Sequence, residues 1–263
     1  MPDSELTSTP FDPWRDFSTL TAARIALGRA GGSVPTRELL DFGLAHARAR
    51  DAVWMPFDRD GLVADMEAAG LKAIALESAA TSRDEYLRCP DLGRRLSDNS
   101  RDALAHLSAT NQFYDLCFII SDGLSALATR HALSIVAPLH ARLVADGWTI
   151  APIIVVRFGR VTLQDEIGQR LGATLALMLL GERPGLGSPD SLGAYFVHGP
   201  RAGRSDADRN CVSNIRPDGL PAQVAVETLH SLLAASRNRK LSGVGLKDER
   251  ALSLLQPKSI GSA

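Results

Sequence analysis

Three nearly uninterrupted apolar runs, each closed by glycine and polar residues, constrain this chain more than any other feature. Leu116-Cys-Phe-Ile-Ile120 ends in Ser121-Asp-Gly123. Ala151-Pro-Ile-Ile-Val-Val156 ends in Arg157-Phe-Gly159, and residues 173–180 (ATLALMLL) end in Gly181-Glu-Arg-Pro-Gly185. A shorter run covers residues 194–197. Between the runs, apolar residues recur at helical spacing over residues 125–147, 164–171 and 221–239, with a break expected at Pro138. A strand apolar on both sides must be covered on both sides. Such strands alternating with helices predict an α/β fold, a doubly wound (Rossmann-like) parallel sheet.

Ahead of it stands a different texture. Residues 1–20 are rich in Pro, Asp, Ser and Thr, with Phe11, Trp14 and Phe17 three apart, and read as an irregular arm. Residues 21–29 predict a short helix stopped by Gly31-Gly32. Thr36 reads as an N-cap for a helix to about Asp51 with Leu39, Leu40 and Leu44 on one face. Residues 59–69 predict another helix and residues 74–77 a strand. The division expected is a mainly helical N-terminal segment, 1–85, and an α/β domain, 86–263, whose last residues, 248–263, read as a frayed tail. A chain of 263 residues with 45% hydrophobic content can bury such a core.

Charged residues make up 22% of the chain and the net charge is −1, which gives no footprint for nucleic acid or an anionic membrane. No apolar stretch approaches the roughly 20 residues of a membrane span, and the opening residues lack a signal-peptide pattern. Three cysteines, Cys89, Cys117 and Cys211, lie far apart without a CxxC, which fits a reducing, cytoplasmic setting. The six histidines show no zinc spacing.

In open parallel sheets, ligands bind beyond the carboxyl ends of the strands. The three glycine-bearing run ends should meet there. Glycine permits close backbone approach, and the helix after Ser121-Asp122-Gly123 offers free amides. Plain turn chemistry explains the same glycines equally well. Glu182 reads either as an acceptor for an amide donor or as an ion-pair partner of Arg183. Cys211, in Asp208-Arg-Asn-Cys-Val-Ser-Asn-Ile215, reads as a small apolar residue or, with His198 or His230 nearby in space, as a nucleophile. No P-loop, GxGxxG or GxSxG elbow is present.

Several blocks, in order, resemble one family. They are Tyr86-Leu-Arg-Cys-Pro-Asp-Leu-Gly-Arg-Arg-Leu96, Ile120-Ser-Asp-Gly-Leu-Ser125, Val156-Arg-Phe-Gly-Arg-Val161 and Asp165-Glu-Ile-Gly168. Gly181-Glu-Arg-Pro-Gly-Leu-Gly187, Asp190-Ser-Leu192, Asp208 to Ile215 and Leu241-Ser-Gly243 complete the set. Together they resemble the small (light) subunit of ethanolamine ammonia-lyase. The resemblance implies a carbon-nitrogen lyase that converts ethanolamine to acetaldehyde and ammonia by radical chemistry on adenosylcobalamin. It also implies a large barrel-type partner subunit that holds the substrate and shares the cofactor. The cobalamin contacts it carries over are Val161, Glu182 and Cys211. Neighbours at the same edge are weaker candidates: Gly159, Arg160, Gly181, Arg183, Ser213, Asn214, Ser121 and Asp122. The resemblance implies no catalytic residue here, since the substrate sits in the large subunit, and no ligand to the cobalt, since the Asp-x-His-x-x-Gly motif is missing. A cytoplasmic location follows, with a bacterial microcompartment as an alternative setting. The reduced N-terminal extension argues against the latter. The competing functional classes are a stand-alone α/β module for a nucleotide or sugar-phosphate, and a cysteine hydrolase using Cys211.

Overall fold

A computed structural model describes residue 12 and residues 14–108 and 112–248. Phe11 and residues 249–263, part of the arm and nearly all of the expected tail, lie outside the described residues. The apolar runs are strands: β1 (Ala73–Glu77), β2 (Tyr114–Ser121), β3 (Ile153–Arg157), β4 (Ala173–Gly181) and β5 (Leu192–His198). A sixth, β6 (Arg209–Ile215), occupies the polar stretch around Cys211. They form one sheet in the order β1-β3-β2-β4-β5-β6. The pairs β1/β3, β3/β2 and β2/β4 are parallel. The pairs β4/β5 and β5/β6 are antiparallel. The sheet is therefore mixed, which corrects the expectation of a wholly parallel one. The link between β4 and β5 is only residues 182–191, too short for the crossover that a parallel neighbour requires. β1 lies ahead of residue 86, so the sheet draws on both sides of the boundary expected there.

Side chains alternate along the strands into two apolar layers. On one side Phe118, Ile120, Val155, Leu177 and Phe196 meet α2 (Arg59–Ala68), α5 (Ala132–Ala145) and α7 (Ala222–Arg239) through Met66, Ile135, Leu139, Leu229 and Leu233. On the other, Cys117, Ile119, Ile154, Val156 and Met178 meet α4 (Asp98–Ser108) and α6 (Leu163–Arg170) through Leu104, Leu163 and Ile167. Each fully buried side chain of this size contributes about 1.5–3 kcal/mol.

Two expected features differ. Residues 21–29 are not helical: Ala26 and Gly28 take positive φ, and the segment has no layer to pack on. Residues 125–147 do not break at Pro138. A 3-10 turn over Ala126–His131 leads into α5, and Pro138 sits inside that helix. The first helix, α1, runs Thr36–Trp54 with Pro35 rather than Thr36 at its cap, and Leu39, Leu40 and Leu44 stay exposed. Among the described residues no helix is long and apolar enough to cross a membrane, and no cluster of ligating side chains could hold a metal ion.

Candidate functional site

The carboxyl ends of β3, β2 and β4 lie side by side, so their glycine-bearing ends do meet at one edge. Two of them are buried in the construction of that edge. Asp122 Oδ1 accepts the Phe158 N–H at 2.7 Å, and Ser121 Oγ accepts the Gly159 N–H at 2.8 Å. These bonds hold Phe158 at a φ of 59°, a left-handed conformation unusual for a bulky residue. Arg83 donates to Asp122 Oδ2 at 3.1 Å and to the Gly123 carbonyl at 2.6 Å. Burial pushes the Asp122 carboxyl up to about 6, against the pull of Arg83. Tyr86 Oη donates to the Gly159 carbonyl at 3.1 Å, and the Arg160 guanidinium lies 4.2 Å over the Tyr86 ring. The Arg160 N–H goes to the Gly93 carbonyl at 2.7 Å. The geometry of this loop thus comes from α3 (Arg83–Arg88), the residues that follow it to 96, and the end of β2, and it presents Val161, half-buried against the apolar layer of Met178 and Leu180.

The amides expected to be free after Gly123 are used internally: Leu124 donates to the Gly181 carbonyl and Ser125 to the Asp122 carbonyl. Gly181 is equally committed. A Cβ there would fall 2.1 Å from the Ser125 carbonyl oxygen.

The covering of the sheet changes toward β6. Arg209 is buried and makes a two-pronged ion pair with Asp165 of α6, at 2.9 and 2.6 Å. Two and four residues further on the same side, Cys211 and Ser213 are exposed. The helix α6 therefore covers this side of β6 at Arg209 and leaves it open beyond. Tyr195, opposite Cys211 in the ladder, shares that open side.

Glu182 lies on it too. Its side chain crosses Gly193, where a Cβ would stand 2.6 Å from Oε1 and 3.0 Å from Cγ. Oε2 accepts a short hydrogen bond from Ser191 Oγ, and the Asn214 N–H at 3.2 Å. Oε1 accepts from Tyr195 Oη at 3.3 Å. The Asn214 amide reaches Glu182 because β6 bulges. Ala194 pairs with Val212 but Leu192 pairs with Ile215, so Ser213 and Asn214 both stand opposite Gly193. Asn214 takes a φ of 58° to do so. Among the described residues no ion pair joins Glu182 to Arg183, whose side chain is exposed.

The Cys211 thiol lies opposite Tyr195 in the ladder, and among the described residues no histidine is hydrogen-bonded to it; partial burial pushes it up, with the Glu182 charge adding. His230 is bonded to Asp146 instead. A thiol kept protonated with no adjacent base is a poor nucleophile, which removes support for a cysteine hydrolase.

The structure thus brings Glu182, Cys211, Ser213 and Asn214 onto one open sheet side, with Val161 packed on the same layer. It places Ser121, Asp122, Gly159 and Gly181 beneath, where they shape the edge. Arg160 is turned onto Tyr86, and Arg183 stands at the rim. The sequence reading missed Gly193, Ser191 and Tyr195. Only the ladder register, which is invisible in the chain, places them around Glu182.

Comparison with known proteins identifies the family. The family described as ethanolamine ammonia-lyase light chain (EutC) matches residues 11–247. A Pseudomonas fluorescens protein named ethanolamine ammonia-lyase small subunit is 50% identical over 246 residues, 93% of this chain and 90% of its own length. A Pseudomonas putida protein of the same name is 48% identical over 258 residues, 97% of this chain and 95% of its own. A third, from Pseudomonas syringae pv. tomato, is 48% identical over 251 residues, 95% of this chain and 88% of its own. With identity of this extent across nearly the whole chain, the protein belongs to the ethanolamine ammonia-lyase light-chain family.

Proposed function

We propose that this chain forms one wall of the adenosylcobalamin site of ethanolamine ammonia-lyase, with the corrin lying on the open side of β5 and β6. As the light chain it acts with a large subunit, which holds ethanolamine and completes the site. The cofactor, when bound, supplies radical chemistry that amino-acid side chains lack. The chain's own residues bind and orient it. Glu182 uses three of its roughly four acceptor sites internally, and the remaining one would take an N–H from the amides that fringe a corrin. Val161 offers an apolar contact backed by a rigid loop. Cys211 is small enough for close approach. Ser213, Asn214 and Arg183 stand at the rim, while Gly159, Arg160, Gly181, Ser121 and Asp122 hold the edge in shape. The free thiols of Cys89, Cys117 and Cys211 fit a reducing compartment, and we place the complex in the cytoplasm.

One observation carries this reading: a carboxylate held by three donors across a glycine, on a sheet side that the described helices leave uncovered. A covered sheet side needs apolar residues, whereas this one carries an acid, a phenol, a thiol and a hydroxyl. The test is Glu182→Ala, assembled with the large subunit and titrated with cobalamin by visible absorbance. Loss of a hydrogen bond to a charged group should raise Kd about 10- to 100-fold. An unchanged Kd would overturn the site. The isolated chain should stay colourless and inactive, and ammonia release by it alone would overturn the assignment of a shared site.

A further inference from the structure

We propose that Tyr195 is a positioning residue for the cofactor face, one that fixes the Glu182 carboxylate; this rests on the reading just given. Glu182 is the first residue beyond β4, and its carboxylate sits three rotatable bonds from the backbone. Left alone, it would sample many directions and lose entropy on binding. Gly193 gives it a path across the sheet but does not hold it. Ser191 and the Asn214 amide both donate to Oε2. Tyr195 donates to Oε1, the other oxygen, and so settles the rotation of the carboxylate plane.

Tyr195 stands opposite Cys211 in the ladder, so the same ring borders the thiol on the open side. A phenol has one hydrogen, and here it goes to Glu182. Burial drives the Tyr195 phenol well above its ordinary range, so it remains a donor throughout the physiological pH range. The ring packs beside Gly193 and against the apolar layer, a task phenylalanine would do equally well. The hydroxyl is what distinguishes the residue, and its partner is Glu182.

The experiment is Tyr195→Phe alone and with Glu182→Ala, each assembled with the large subunit and titrated with cobalamin by visible absorbance. The single variant should weaken binding about 3- to 10-fold, the net effect of one hydrogen bond, with an unchanged melting temperature of the complex. In the Glu182→Ala background the same change should cost less than about twofold, because the group it orients is gone. Ser191→Ala, which removes a different donor to Glu182, should weaken binding over the same range. If Tyr195→Phe leaves Kd unchanged while Glu182→Ala raises it, the positioning role falls and the cobalamin face stands. If Glu182→Ala has no effect, the face itself falls. An equal loss from Tyr195→Phe in both backgrounds would mean that Tyr195 acts independently of Glu182, and would also overturn the proposal.

Discussion

The two halves of the sheet are built from similar strands but finished differently. Around β2 both sides are closed: Phe118 faces α5 and α7, Ile119 faces α4 and α6, and neither reaches solvent. At β5 and β6, one side is closed by α7, while on the other α6 ends its cover at the Arg209–Asp165 pair. Closure on both sides produces stability and nothing to bind. Closure on one side leaves backbone, register and glycines free to arrange polar groups toward a second surface. The proposed site lies where the layering stops, and its rigidity is borrowed from the half where the layering is complete.

Substitutions can sharpen this contrast. The largest effect belongs to the closed half. Phe118→Ala should lower unfolding free energy by about 3–5 kcal/mol, measured by denaturant titration, through lost burial and the cavity left behind. A cost below about 1 kcal/mol would break the claim that β2 is the packed centre.

Asp122, at the seam, should give a smaller and pH-dependent effect. Its carboxyl is raised from 3.8 to about 6 in the folded chain. Between those values the folded state holds a proton that the unfolded state has released. The associated stability is thus full below pH 4 or so, and is lost as pH rises through about 6. Asp122→Asn should flatten that part of the stability profile between pH 4 and 7, whatever its absolute melting temperature. A profile with the parent's slope would show that another group is responsible.

Cys211→Ser should do least to the fold, since the open half has little packing to lose. A change within about 0.5 kcal/mol, near 1–2 °C in melting temperature, is expected. A loss as large as that of a core residue would erase the distinction between the halves.

How much could be read from the chain follows the same division. The strands β2, β3 and β4 were legible because burial on both sides writes a continuous apolar run. β6 was not: its burial alternates on one side, faces solvent on the other and is interrupted by the bulge at Ser213 and Asn214. The parallel expectation failed at β4–β5 because an apolar run carries no sign of its direction; only the length of the link does. The predicted helix at residues 21–29 had the right composition but no apolar layer to dock on. Val161, Glu182 and Cys211 were found through resemblance to a family, not through local chemistry. The partners of Glu182 come from positions 191, 195 and 214, so no window of sequence could display them together. Tyr195 was hidden for a simpler reason. Within Ala194-Tyr-Phe-Val197 it reads as one more core residue.

The bulge in β6 has a further effect. This strand is the last in the sheet, so among the described residues its outer row of amides and carbonyls meets only one isolated bridge, Ile215 to Leu220. A straight edge of that kind is a template on which another chain can add a strand and begin an aggregate. Two residues opposite one, with Asn214 in a left-handed conformation, bend the edge and spoil the repeat that an incoming strand would have to match. The irregularity that aims an amide at Glu182 thereby also guards the chain against sticking to copies of itself.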